Sequence, residues 1–210
     1  MKSSLRISTL ALVTLTGLIV FFSSCEKDSD PATEMETFTD VRDGKVYNII
    51  EIGNQTWMAE NFAYEPANGF WAYNNDAGHV STYGYLYTLE TAKSICPDGW
   101  HFPSVDEWNE LIDYLGGTYQ AGNKMKEAGG AHWNSDDYGN QEITNSSGFT
   151  ALPGGYYEDA FEEFNYLGLY GFWWTESGSH VLLTGNYVDA EIQNGGGSGG
   201  RSVRYIQDQE

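Results

Sequence analysis

The groups in this 210-residue chain that could ligate, ionise or attack are four histidines, two cysteines and 30 acids. His79, His101, His132 and His180 lie far apart, with no paired spacing that would bring two imidazoles to one metal ion. His101, between Trp100 and Phe102, reads as a packed, hydrogen-bonded residue. The acid pairs Asp136-Asp137, Glu158-Asp159 and Glu162-Glu163 would serve glycoside hydrolysis only if two carboxyls were held a fixed distance apart, one with a raised pKa. In so acidic a chain they read as solvated surface. Hard oxygens of Asp and Asn in a loop can hold Ca²⁺, which makes Asp136 and Asp137 the calcium candidates; no other metal and no cofactor is expected. Gly196-Gly197-Ser198-Gly199-Gly200 fits G-x-S-x-G, and Gly195, Gly197 and Gly200 fit G-x-G-x-x-G. Both motifs need a following helix, whereas Ser202-Val-Arg-Tyr-Ile206 reads as a strand, so the run is expected to be a glycine-rich hairpin tip. With no nucleophile–base pairing to be found, the chain is read as non-catalytic.

Aromatic rings are the stronger lead. They make up 15% of the chain, and flat rings stack on sugar CH faces while amides and carboxylates bind hydroxyls. Two loop-like stretches carry that mixture, Phe70 to Asp76 and Trp133 to Asp137. They supply the ligand-binding candidates Trp71, Tyr73, Asn75, Asp76, Trp133, Asn134, Asp136 and Asp137, with Trp71 and Trp133 as exposed platforms. Trp57, Trp100, Trp108 and Trp174 are expected in the core.

What surrounds these residues is acidic. The formal net charge is −20, which makes nucleic acid a poor partner, since nothing can neutralise phosphates, and none is expected. Lys2 and Arg6 precede an apolar stretch from Ile7 to Phe22 and the small residues Ser23 and Ser24, the pattern of a secretory signal over residues 1–24. Residues 25–39 are polar and without periodicity, the composition of a disordered tether, and residues 40–210 have the length of one domain. Only Cys96 lies in that domain, so no internal disulfide can form.

The elements that must position the site are short. Lys45–Ile52 and Gln55–Met58 read as strands joined by a Gly53-Asn54 turn. Leu86–Ile95 reads as a short helix. Ser104 and Glu107 form a capping box before the apolar stripe Trp108, Leu111, Ile112 and Leu115, with Gly116-Gly117 as the stop. A further helix is expected over Ala121–Ala128. Strands are expected at Gly148–Leu152, Phe172–Thr175, His180–Leu183, Tyr187–Ile192 and Ser202–Ile206, with Asn194–Gly200 as a flexible tip. Strands flanking helices in this order indicate an α+β fold.

Several strings follow one another in a fixed order: Gly44-Lys-Val-Tyr-Asn48, Ile52-Gly-Asn-Gln-Thr-Trp-Met-Ala-Glu-Asn61, Tyr83-Gly-Tyr-Leu-Tyr87, Cys96-Pro-Asp-Gly-Trp-His-Phe-Pro103 with Glu107-Trp108, Gly148-Phe-Thr-Ala-Leu-Pro-Gly-Gly155, Phe172-Trp-Trp-Thr175 and Ser202-Val-Arg204. Together they resemble the Fibrobacter succinogenes major paralogous domain over roughly Thr39 to Asp208. The Trp-His-Phe-Pro and Ser-Val-Arg strings are also similar to the C-type-lectin-like architecture of the formylglycine-generating group, which implies a single lectin-like domain. Formylglycine generation itself would need a reactive cysteine after Cys96, and there is none. The family pattern commonly has Cys after Val-Arg, which the resemblance implies would pair with the position of Cys96. Here Tyr205 stands there, which forgoes ~2–4 kcal/mol of cross-link stabilisation.

Trp133-Asn134-Ser135-Asp136-Asp137 loosely resembles the Trp-Asn-Asp element of calcium-dependent lectins. Glu65-Pro66-Ala67-Asn68 resembles their Glu-Pro-Asn inexactly and out of order. Ser23-Ser24-Cys25 resembles a bacterial lipobox, which implies lipidation at Cys25 and a membrane partner through that anchor. The acids that follow are similar to the surface-export signal of Bacteroidetes lipoproteins. The expectation is a non-catalytic, outer-membrane-anchored surface module that binds glycan or another surface ligand in adhesion. A protein-interaction or structural role in the envelope is the alternative, and a glycoside hydrolase the third.

Overall fold

Aromatic side chains separated by glycine turns build this chain out of short pieces. A computed structural model describes residues 36–134, 142–195 and 197–209. Its strands are β1 (Thr37–Thr39), β2 (Val46–Ile52), β3 (Gln55–Met58), β4 (Phe70–Trp71), β5 (Leu86–Tyr87), β6 (Trp100–His101), β7 (Tyr156–Glu158), β8 (Glu163–Asn165), β9 (Tyr170–Trp174), β10 (His180–Thr184), β11 (Ala190–Gln193), β12 (Gly199–Gly200) and β13 (Ile206–Gln207). Helices α1 (Val80–Tyr83), α2 (Leu89–Ser94), α3 (Val105–Tyr114) and α4 (Thr118–Met125) lie between β4 and β7. The fold is α+β. No helix among the described residues is long and apolar enough to cross a membrane.

One sheet runs in the order β1-β2-β3-β13-β6, so the first and last strands share it. Its β2–β3 hairpin closes with Ile52 opposite Gln55, the two-residue Gly53-Asn54 turn expected from sequence. Thr37, Phe38 and Thr39 pair with Asn48, Tyr47 and Val46, which adds β1 to the edge of this sheet. Two three-stranded sheets, β11-β10-β9 and β12-β7-β8, and the β4–β5 pair complete the set.

The helix after Ser104 is built as the sequence demands. Ser104 Oγ accepts from Glu107 N–H at 3.2 Å, and Glu107 Oε2 accepts from Ser104 N–H at 2.8 Å. The stripe it buries, Trp108, Leu111, Ile112 and Leu115, meets Trp57 and Phe149 in the main core, with the Trp57 and Trp108 rings 4.5 Å apart. A second cluster gathers Tyr47, Phe62, Tyr87, Phe102 and Tyr205.

Several expectations are corrected. Leu86 and Tyr87 form a strand, and the helix is confined to Leu89–Ser94 because Thr88 Oγ1 caps it at Thr91 N. The second helix begins at Thr118 and ends at Met125. Gly148–Leu152 is no strand. Its one pairing is a bridge from Ala151 to Lys126. The strand expected at Tyr187 starts at Ala190. Asn194–Gly200 is not a free tip either, since Gly199 and Gly200 pair with Glu158 and Tyr157 and stitch the run to β7. Ser202–Tyr205 threads between sheets, taking partners from Phe172, Trp174, Phe62 and Met58 in turn.

That threaded segment carries the fold's polar centre. Arg204, with no exposure at all, donates from Nε to Asn61 Oδ1 (3.1 Å), from Nη1 to the carbonyls of Met58 and Phe149, and from Nη2 to the Thr150 carbonyl (2.9 Å). Burial pulls its pKa down to about 9. Asn61 Oδ1 also accepts from Trp173 Nε1 at 2.9 Å, and Asn61 Nδ2 donates to the Tyr83 carbonyl. Three of the family-like strings therefore meet at one guanidinium, Asn61 ties in two more through Trp173 and Tyr83, and their shared work is structural.

Candidate functional site

The two stretches proposed from sequence divide between core and surface. Trp71 is half-buried on β4, stacked on Tyr157 at 4.2 Å with an interplanar angle of 27°. Tyr73 points inward. Its hydroxyl accepts from Leu167 N–H, and its ring lies 5.3 Å from Phe164. Asn75 and Asp76 stay exposed, with Asp76 Oδ1 accepting from Gly78 N–H at 2.8 Å.

Trp133 is the main correction. At 4% exposure it is a core residue, its Nε1 donating to the Ala151 carbonyl at 3.0 Å and its ring facing Lys126 Nζ at 4.9 Å. A large ring with one donor suits that place, because its single polar atom finds a carbonyl. Asn134 is exposed, its N–H held by the Gly168 carbonyl at 2.6 Å. Trp71 and Trp133 thus do not make a shared platform of exposed indoles. Asp136 and Asp137, and Cys25, lie outside the described residues. Among the described residues no group of three or more His, Cys, Asp or Glu is placed to hold a metal ion.

An aromatic face that sequence reasoning missed lies on β9. Alternation along the strand sends Trp173 to the main core and turns Tyr170, Phe172 and Trp174 to the other side, where Trp174 joins the second core cluster as expected from sequence, Phe172 is buried and Tyr170 is half-buried. Rings continue from there. Tyr170 stacks on Tyr166 (4.7 Å, 27°), Tyr166 approaches Tyr156 (5.9 Å), and Tyr156 meets Phe172 edge-on (5.1 Å). Tyr166 is 45% exposed. Its φ of 64° lies in the left-handed region that a bulky residue rarely takes. The tight turn in which Leu169 and Tyr170 N–H groups donate to the Tyr166 carbonyl holds it there.

The inner end of this face is cationic. Arg201 lies over the Trp174 ring, 4.2 Å from its centroid, and 5.6 Å from that of Tyr156. Burial pulls its pKa down to about 10, against the opposing pull of Glu158. His180 sits directly across from Trp174 in the β9–β10 ladder. Burial and the neighbouring Arg201 charge push its pKa down to about 4, so its imidazole is neutral near pH 7. The signal in sequence was the period-two spacing of Tyr170, Phe172 and Trp174, legible only once Trp173 is known to face the core.

The model of the Fibrobacter succinogenes major domain matches residues 50–207. The chain belongs to this family. The matched span takes in both the Arg204 hub and the aromatic face, so the family's scaffold and this candidate site are one folded unit. No curated protein and no solved structure matches the chain.

A third place has acid–base character. His101 Nε2 meets Glu107 Oε1 at 2.6 Å and its Nδ1 meets Asp208 Oδ1 at 2.8 Å. Both ring nitrogens are committed, which makes this a clamp on the C-terminal segment and not a free base. A shallow hollow of about 410 Å³ borders it, lined in part by Lys93, Cys96 and Glu176. Cys96 is no nucleophile there, since burial pushes its thiol up to about 12.

Proposed function

We propose that this domain is a non-catalytic binding module of the cell envelope that takes glycan on the Tyr166–Tyr170 face. The observation that carries this reading is the stacked, partly exposed Tyr166–Tyr170 pair, with Tyr166 kept in a left-handed backbone conformation. Strain of that kind costs on the order of 1–3 kcal/mol and is retained where it positions a side chain for use. Rings for stacking and strand-edge polar groups such as Asn165 and Glu163 lie together, which is the mixture a sugar requires. A lectin-like scaffold belongs to the same proposal. It is supported by a body of short strands and helices whose first and last strands share a sheet, leaving the connections to meet a ligand.

Anchorage through lipidated Cys25 at the outer membrane completes the reading and is supported by the leader and the Ser23-Ser24-Cys25 string. Cys25→Ala would release the protein from the membrane fraction. For the ligand, the test is retention of the full-length protein on a glycan array and on insoluble polysaccharides. Tyr166→Ala and Tyr170→Ala should each weaken retention by about 3- to 10-fold. Absence of retention on every glycan, or variants that bind as the parent does, would overturn the assignment. A stoichiometric envelope protein that co-purifies with the parent and is lost in both variants would move the face to protein recognition.

A further inference from the structure

A hollow of about 520 Å³ opens beside the Arg204 hub, between the start of β2, the chain after β3, helix α1 and residues 150–152. That volume lies within the range of small-ligand sites, about 300–1,000 Å³. Val46, Glu60 and Ser81 on its walls are exposed, so the hollow is open to solvent. Two opposite charges line it. Lys45 Nζ spends one donor on the Ala63 carbonyl at 3.1 Å, and Glu60 Oε1 accepts from Asn48 Nδ2 at 2.6 Å. Among the described residues no salt bridge joins Lys45 to Glu60. An ammonium and a carboxylate thus stand on one hollow without meeting, which leaves room for a group that bridges them.

Thr150 lines the same hollow under backbone strain. Its φ of 53° lies in the left-handed region, a genuine outlier for a β-branched residue. Asn145 holds it there, Oδ1 accepting from Thr150 N–H and Nδ2 donating to Thr150 Oγ1, both at 2.9 Å. The Thr150 carbonyl meets Arg204 Nη2, a bond that glycine would allow without the strain. What threonine adds is a hydroxyl and a methyl at the wall, and strain of this kind gathers at ligand sites. Ser81 brings a second hydroxyl, while Val46, 54% exposed, and Leu152 supply apolar surface.

This lining selects by charge. An anion meets Glu60 and the field of a chain at −20, and a cation meets the Lys45 ammonium at contact. A neutral ligand rich in hydroxyls meets neither penalty. Its O–H groups can donate to Glu60 and accept from Lys45, with its CH edges on Val46 and Leu152. We propose that this hollow is a second binding site, taking one neutral sugar unit of a saccharide. It shares no lining residue with the Tyr166–Tyr170 face and goes beyond that reading.

The experiment is a calorimetric titration of the full-length protein, in a detergent without sugar headgroups, with soluble neutral oligosaccharides of glucose, mannose, galactose and xylose. At least one should bind, and its uronic-acid counterpart should bind at least about threefold more weakly. Lys45→Ala and Glu60→Ala should each weaken the neutral sugar by about 3- to 10-fold. Ser81→Trp, at an exposed position on the wall, should fill the hollow and remove binding while the melting temperature holds. Should Lys45→Ala fail to fold, Glu60→Ala and Ser81→Trp carry the test. Loss of binding in Ser81→Trp supports the site whatever Tyr166→Ala does. Loss confined to Tyr166→Ala overturns the hollow and leaves the aromatic face as the sugar site. Variants that bind as the parent does overturn it as well, and a uronic acid that binds more tightly overturns the neutral ligand class. Binding of none of the four sugars overturns the hollow, and retention on insoluble polysaccharide would then leave the aromatic face standing.

Discussion

Arg204 Nε donates to Asn61 Oδ1 across 3.1 Å, joining positions 143 residues apart at the centre of the fold. The same oxygen accepts from Trp173 Nε1, so the amide holds a charge and an indole together where water cannot substitute. Asn61→Ala would strip a partner from both at once. The expected outcome is a loss of about 1–3 kcal/mol or slightly more in denaturant-derived stability, the range seen when buried donors lose their acceptor. Asn61→Asp should recover part of that loss by pairing Arg204 directly. A melting temperature for Asn61→Ala within a degree or two of the parent would show that the hub carries little weight.

The neighbouring position, Tyr205, explains how the domain manages with one cysteine. Its ring is fully buried among Phe62 and Phe102, and its hydroxyl donates to the Ala92 carbonyl. Cys96 lines the same cluster and turns its thiol to the Trp100 carbonyl. Tyr205→Phe should cost about 1 kcal/mol for the lost hydrogen bond. With burial lifting its pKa to about 12, Cys96 should resist thiol reagents at pH 8 in the native protein and react at once in denaturant. Rapid native labelling would contradict this environment.

How much of this was legible beforehand depended on whether a pattern closed locally. The Ser104–Glu107 capping box, the Trp108-to-Leu115 stripe and the Gly53-Asn54 turn need only residues within one or two turns, and each stands as read. Ser202–Tyr205 looked like a strand from its β-rich composition. Its successive partners are Phe172, Trp174, Phe62 and Met58, so no ladder forms, and only tertiary assembly dictates that. The aromatic–polar mixture from Trp133 to Asp137 points to an exposed loop, yet Trp133 is buried. The Ala151 carbonyl that receives its N–H is 18 residues away and invisible to local pattern. The Tyr166–Tyr170 face escaped notice for the same reason, since its rings come from β7, β9 and the turn before β9.

His101 supplies a pH signature that any binding role leaves untouched. Burial disfavours its charged form, but the hydrogen bonds and charges of Glu107 and Asp208 outweigh that and raise its pKa. A raised histidine stabilises the fold fully below its unfolded value near 6.5, and that contribution is lost as pH rises through the folded value. Glu107 runs the other way. Burial raises its pKa, yet its bonds from Ser104 and His101 prevail and lower it. Its contribution is therefore present above the unfolded value near 4.5 and lost as pH falls through the folded one. His101→Gln should flatten the decline in thermal stability on the alkaline side of neutrality. An unchanged profile in that variant would show that the clamp does not hold the C-terminal segment.

His180 acts in the opposite sense, and the two histidines should be separable by pH. Its folded pKa is near 4, lowered by burial and by Arg201, whereas the unfolded chain takes up the proton near 6.5. Between those values the unfolded state binds a proton that the native state refuses, so stability should fall as the solution is acidified from pH 6.5 to 4, by at most about 3 kcal/mol. His180→Gln should remove that slope and leave the alkaline behaviour governed by His101 in place. Imidazole carbon shifts followed by NMR through an acid titration read this directly. A titration of His180 near 6.5 in the free protein would mean that it is neither buried as described nor under the influence of Arg201.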